Sequence, residues 1–156
     1  MLFIFDLDGT VIDSSHRQNT LPDGTLNLAD WIENNTPEKI ARDSLLPLAD
    51  EWRTIDPAKH DIVIMTARVL QDADYNFLQT KGLFFDRIYS RNLGDTSPDG
   101  ELKTHMIFEC ARDLGRSLAW MRSNAYMFDD SNEVRKALHS LNIKCYNPNS
   151  INARSV

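Results

Sequence analysis

The chain has 156 residues, 42% hydrophobic and 26% charged, with 23 acidic against 17 basic side chains and a formal net charge of −6. That is the length and composition of one globular domain with a single core, residues 1–156, and it excludes a disordered or collagen-like chain. It also excludes a general nucleic-acid coat, which needs cations to neutralise phosphates, and no stretch reaches the roughly 18 apolar residues of a membrane-spanning helix.

Met1 runs directly into the first apolar run, Leu2-Phe3-Ile4-Phe5, without the basic region or cleavage site of a secretory signal, so a cytoplasmic protein is expected. Four more short runs follow: Ile62–Met65, Arg87–Ser90, Ala125–Phe128 and Ile143–Tyr146. Their length and mostly aliphatic or aromatic content suit parallel strands buried on both faces. Between them the spacing predicts helices over Leu70–Lys81, ended by Gly82, over Leu102–Met121, and over Ser131–Leu141, opened by a capping serine. Strands alternating with helices make an α/β fold, a doubly wound parallel sheet. Residues 14–57 break the rhythm: they are polar and turn-rich at Leu21-Pro22-Asp23-Gly24, then partly helical, and read as a small insertion after the first strand, over the carboxyl edge of the sheet. Cys110 and Cys145 fall within helix and strand and receive no chemical role.

In a doubly wound sheet ligands bind beyond the carboxyl ends of the strands, so polar residues there carry the functional reading. Asp6-Leu7-Asp8-Gly9-Thr10 follows the first run directly, and Asp129-Asp130 follows the fourth. If these strands are neighbours, Asp6, Asp8 and Asp129 can converge on one cation, with Asp130 pointing either to solvated metal or to a lysine; oxygen donors at a phosphate site suit Mg²⁺. Taken alone, Asp129 and Asp130 could equally complement the dipole of the next helix, Thr66 could cap a helix, and Lys103 could be solvated. Together they compose a phosphoryl-transfer site of hydroxyl, lysine and divalent cation. The charge is uneven, −9 over residues 1–102 and +3 over 103–156, and a bound cation would improve the reception of an anionic substrate.

The series Asp6-Leu7-Asp8-Gly9-Thr10, Thr66, Lys103 and Asp129-Asp130 resembles the four motifs of the haloacid dehalogenase superfamily of phosphatases, over nearly the whole chain. The resemblance implies a Rossmann-like sheet in the order 3-2-1-4-5. It implies Asp6 as nucleophile, forming an aspartyl-phosphate, and Asp8 as general acid and then base. Thr66 and Lys103 would hold the phosphoryl group, and Asp6, the backbone carbonyl of Asp8, and Asp129 would bind Mg²⁺, supported by Asp130. An acid–base role predicts a raised pKa for Asp8. More narrowly, His16-Arg17, Asp30-Trp31, Thr66-Ala67-Arg68 and Arg91 through Thr96 resemble the 3′-phosphatase half of phage-type polynucleotide kinases, which makes Ala67, Arg68 and Arg91 candidates for binding substrate. Ser131 stands where those relatives often carry arginine, and the stretch from Lys103 to Asp129 is longer here.

The expected substrate is a phosphorylated nucleic-acid end, with the phosphate at its 3′ position, or a nucleotide; the alternative is a small phosphorylated metabolite. No glycine precedes a lysine, so a kinase phosphate loop is absent and kinase or ligase chemistry would require a separate partner chain. A non-catalytic receiver domain also uses acids, a threonine and a lysine, but places its acid pair after the first strand rather than last. A calcium loop at Asp95–Gly100 fails because Met106 stands at its twelfth position, and His16, His60, His105 and His139 lack zinc-ligand spacing.

Overall fold

The structure, a computed structural model, describes residues 1–18, 21–23 and 27–155. Gly24 of the anticipated turn lies outside them. In chain order the elements are β1 (Leu2–Phe5), β2 (Ile12–Asp13), a 3₁₀ turn (Ser15–Arg17), α1 (Leu28–Glu33), α2 (Pro37–Ile40), β3 (Ser44–Leu45), α3 (Leu48–Thr54), β4 (Asp61–Thr66), α4 (Asp72–Thr80), β5 (Arg87–Ser90), α5 (Asp99–Leu114), α6 (Leu118–Asn124), β6 (Ala125–Phe128), α7 (Asn132–Ser140), β7 (Lys144–Tyr146), α8 (Asn149–Asn152) and a terminal 3₁₀ turn (Ala153–Ser155).

Five strands form one sheet in the order β5-β4-β1-β6-β7 with every pairing parallel. Numbered along the chain, that is the expected 3-2-1-4-5. Side-chain alternation sends Leu2, Ile4, Val63 and Met65 to one face, where α5, α6 and α7 cover them. Phe5, Ile62 and Ile64 go to the other face, packed with Trp52 of α3 and Phe77 and Leu78 of α4. Phe5 and Trp52 stack with ring centroids 4.5 Å apart.

Two expectations are corrected. The single helix over Leu102–Met121 is two helices: Gly115 takes φ 65° in the left-handed region and ends α5, and Ser117 caps α6 by accepting the Trp120 N–H. The stretch 14–57 is also not uniform. Leu48, Ala49 and Trp52 lie in the core against the sheet, so α3 serves as the crossover helix from β1 to β4. What lies over the carboxyl edge is the segment before it, with α1, α2 and the antiparallel ribbon β2–β3.

Candidate active site

β1 and β6 are neighbours, so Asp6 and Asp129 leave the sheet side by side. The Asp6 N–H still bonds the Phe128 carbonyl and the Asp129 N–H the Tyr146 carbonyl, extending the ladders by one residue. One carboxylate oxygen each from Asp6, Asp129 and Asp130 lies within 4.8 Å of the others. Lys103, buried in the first turns of α5, sends its ammonium between them, 3.0 Å from Asp6 Oδ1 and 2.8 Å from Asp129 Oδ2. Thr10 donates to Asp6 Oδ2 at 2.9 Å and accepts the Asp130 N–H at 3.1 Å. Gly9, at φ +76°, passes so close to Asp130 that a Cβ there would stand 2.2 Å from its Oδ2.

Three carboxylates against one ammonium leave negative charge uncompensated. Burial raises the Asp6 pKa well above the usual carboxylate value against the opposing pull of Lys103, and the charges of Asp129 and Asp130 add to the rise. Asp130 is likewise raised, by burial and by Asp129. Lys103 is pushed the other way from what burial alone would do: Asp6 and Asp129 hold its proton. Oxygen donors only, close set and short of positive charge, fit a hard divalent cation such as Mg²⁺.

The Asp8 carboxylate turns away from this cluster. Arg68 grips it with Nε at 2.7 Å and a terminal nitrogen at 2.6 Å, and Ser14 donates at 2.6 Å. Burial would raise the Asp8 pKa, but the Arg68 charge and hydrogen bonds, with Ser14 and Arg17, outweigh it and lower it. The expected upward shift is therefore corrected, and the cause is the bidentate arginine. Thr66, at the end of β4, accepts the Arg68 N–H at 3.1 Å, which leaves its own hydroxyl hydrogen for a ligand.

Arg68 itself is 3% exposed and also reaches Asp74 and Asp43. Asp43 was not a candidate in the sequence, yet it is the hub of this network: it accepts a bidentate pair from Arg17 and a bond from His16 at 2.8 Å. Only the arginine in His16-Arg17 gave a local signal; Asp43 sits in a polar stretch whose burial no periodicity reveals. An open cavity of about 560 Å³, lined by Asp13, Ser15, His16, Arg42 and Ser44, adjoins the hub through His16. Arg91 is not drawn into either cluster. Its guanidinium bonds the carbonyls of Ala67, Asp95 and Ser97 and the carboxylate of Asp99, tying the loop before α5 to the end of β4. Ala67 meets it through that carbonyl and packs on the core. Asp6, Thr66, Lys103, Asp129 and Asp130 thus gather at the strand ends, with Asp8 and Arg68 beside them.

No helix among the described residues is long and apolar enough to cross a membrane. A protein-family model described as bacteriophage T5 5′-deoxynucleotidase matches residues 1–154. A 5′-deoxynucleotidase of Escherichia phage T5 is 37% identical over 86 residues, which are 53% of this chain and 35% of that protein. The chain thus spans about a third of the length of the curated relative it matches. Among solved structures, a chain of the Pnkp1/Rnl/Hen1 RNA repair complex superposes with TM-score 0.67 at 18% identity, over 94% of this chain and 41% of that one. A hydrolase of the haloacid dehalogenase superfamily from Geobacter sulfurreducens superposes with TM-score 0.64 at 16% identity, over 92% and 86%. At these identities the likeness to solved structures is one of fold.

Proposed function

Because the chain belongs to the bacteriophage T5 5′-deoxynucleotidase family, we propose that it is a phosphoric monoester hydrolase that removes the 5′-phosphate from deoxynucleoside monophosphates, with Asp6 as nucleophile. The observation that carries the chemistry is the acid cluster: Asp6 stands beside Asp129 and Asp130 with Lys103 between, at the carboxyl ends of adjacent parallel strands.

Mg²⁺ bound among Asp6, Asp129 and Asp130 would supply positive charge for the phosphoryl oxygens. Lys103 fixes the Asp6 carboxylate and offers its charge to the transferring group. Thr66 directs its free hydroxyl hydrogen at a phosphoryl oxygen. An Asp6 oxygen attacks phosphorus, the bond to the ester oxygen breaks, and Asp8 gives that oxygen its proton. In the second half Asp8 takes a proton from water, which attacks the phosphorus of the aspartyl-phosphate and frees Asp6. The grip of Arg68 suits Asp8 to this basic half. For the acid half, the negative charge of an arriving phosphate raises the proton affinity of Asp8 against that grip. Thr10 and Gly9 keep Asp130 in place, and Arg91 holds the loop that presents Lys103.

A 3′-phosphorylated nucleic-acid end is the second reading, favoured by the fold shared with the RNA repair complex. Mg²⁺-dependent phosphate release from a deoxynucleoside 5′-monophosphate, the corresponding 3′-monophosphate, a 3′-phosphorylated oligonucleotide and a sugar phosphate separates them. The 5′-monophosphate is expected to give the highest kcat/KM; preference for the oligonucleotide would replace the substrate and leave the chemistry.

A further inference from the structure

The network around Asp43 carries an aromatic ring that the mechanism above does not use. Trp52 lies in one apolar core and Trp120 packs against the other, but Trp31 of α1 joins neither. Its indole lies against charge instead, with the guanidinium carbon of Arg17 4.4 Å from the ring centroid and that of Arg68 at 6.0 Å. Both guanidinium groups bond the same Asp43 oxygen, a tether that holds them together beside the ring. Trp31 is partly exposed, Ile32 beside it is 71% exposed, and among the described residues no other aromatic ring stacks on the indole. An indole pinned by two buried arginines has a fixed orientation, and only one guanidinium separates it from Asp8.

We propose that Trp31 is the base-stacking residue of the site: it takes the face of the nucleobase when the phosphate of a nucleoside monophosphate occupies the space beside Asp6, Thr66 and Lys103. This rests on the nucleotide reading above and sharpens it. Arg17 and Arg68 are neutralised by Asp8, Asp43 and Asp74, so the ring rather than a free cation meets the base. Stacking on an aromatic face tolerates every base, because each has a π-face. A sugar phosphate has no base to place there and gains nothing from the ring.

The test uses the Asp6→Asn chain with Mg²⁺, so that bound ligand is not consumed. Calorimetric Kd values are compared for dAMP and for 2-deoxyribose 5-phosphate, which carries the same phosphate and sugar without the base. In the Asp6→Asn chain dAMP is expected to bind more tightly. Adding Trp31→Ala should weaken dAMP about tenfold and erase that advantage, the size seen for alanine at base-stacking aromatics, while Trp31→Phe keeps most of it. An equal loss for both ligands, no loss for either, or no advantage of dAMP before Trp31 is changed overturns the proposal. Turnover by the chain with Asp6 intact is judged separately: its absence sinks the phosphatase reading, whereas turnover with an unchanged dAMP advantage in Trp31→Ala sinks the stacking alone.

Discussion

At Asp8, burial and a bidentate arginine pull the same proton in opposite directions, and the arginine wins. The result could not be read from Asp6-Leu7-Asp8-Gly9-Thr10, because Arg68 arrives from sixty residues away and Ser14 from the turn beyond. The strand-end acids themselves were legible, since each directly follows an apolar run. Asp43 was not: an acid in a polar stretch looks solvated until a fold surrounds it, and its burial is bearable only because Arg17 and Arg68 share its two oxygens. Gly9 is a sharper case of dependence on distant structure. Its φ of +76° costs an alanine about 1–2 kcal/mol, and the added Cβ displaces the Asp130 carboxylate. Gly9→Ala is expected to melt several degrees lower and to lose Mg²⁺-dependent phosphate release at least tenfold, measured by thermal denaturation and a metal titration. A lower melting point with undiminished activity would remove Asp130 from the proposed metal site.

Among the elements, the five core strands were legible because parallel strands covered on both faces read as continuous apolar runs. The sheet order came from the motif resemblance rather than from the runs. The break at Gly115 was hidden by periodicity: Leu114 and Leu118 continue the spacing of Ile107 and Ala111, and they pack on the same core from two separate helices. One left-handed glycine changes the direction of the chain without disturbing the apolar stripe. Gly115→Ala should cost roughly 1 kcal/mol, about 2–4 °C in melting temperature for a domain of this size, with activity kept. No destabilisation would mean that the helix does not require the left-handed residue. The ribbon β2–β3, two residues on each side, is too short for alternation to show, and in the sequence α3 does not stand out from the insertion because polar turns surround it.

Across the whole molecule the carboxyl edge divides into two charge networks. Asp8, Asp43 and Asp74 are matched largely by Arg17 and Arg68, whereas among the described residues Asp6, Asp129 and Asp130 face Lys103 as their one buried cation. The two respond oppositely to pH. Asp6, with its raised native pKa, favours the fold when protonated, and that contribution is lost as pH rises through the native pKa. Asp8, with a lowered pKa, contributes stability above the usual carboxylate range that is lost as pH falls through its native value. Mg²⁺ should therefore raise the melting temperature more as pH rises and the cluster ionises, and progressively less as pH falls, as protons compete for the same carboxylates. With or without the ion, stability should fall further below about pH 4, where the Asp8 pair is lost. An Mg²⁺ increment that ignores pH would contradict a carboxylate site.

Asp6 is proposed to form the covalent intermediate and Asp8 to move the proton. Single- and multiple-turnover phosphate release from a deoxynucleoside 5′-monophosphate with Mg²⁺, for the unaltered chain, Asp6→Asn and Asp8→Asn, tests it most directly. Steady turnover by the unaltered chain, none by Asp6→Asn, and slowed release with accumulated protein-bound phosphate or at least a hundredfold lower rate in Asp8→Asn are the predicted results. Ordinary turnover by Asp6→Asn would exclude Asp6 as nucleophile, and ordinary turnover by Asp8→Asn would exclude Asp8 as the proton carrier.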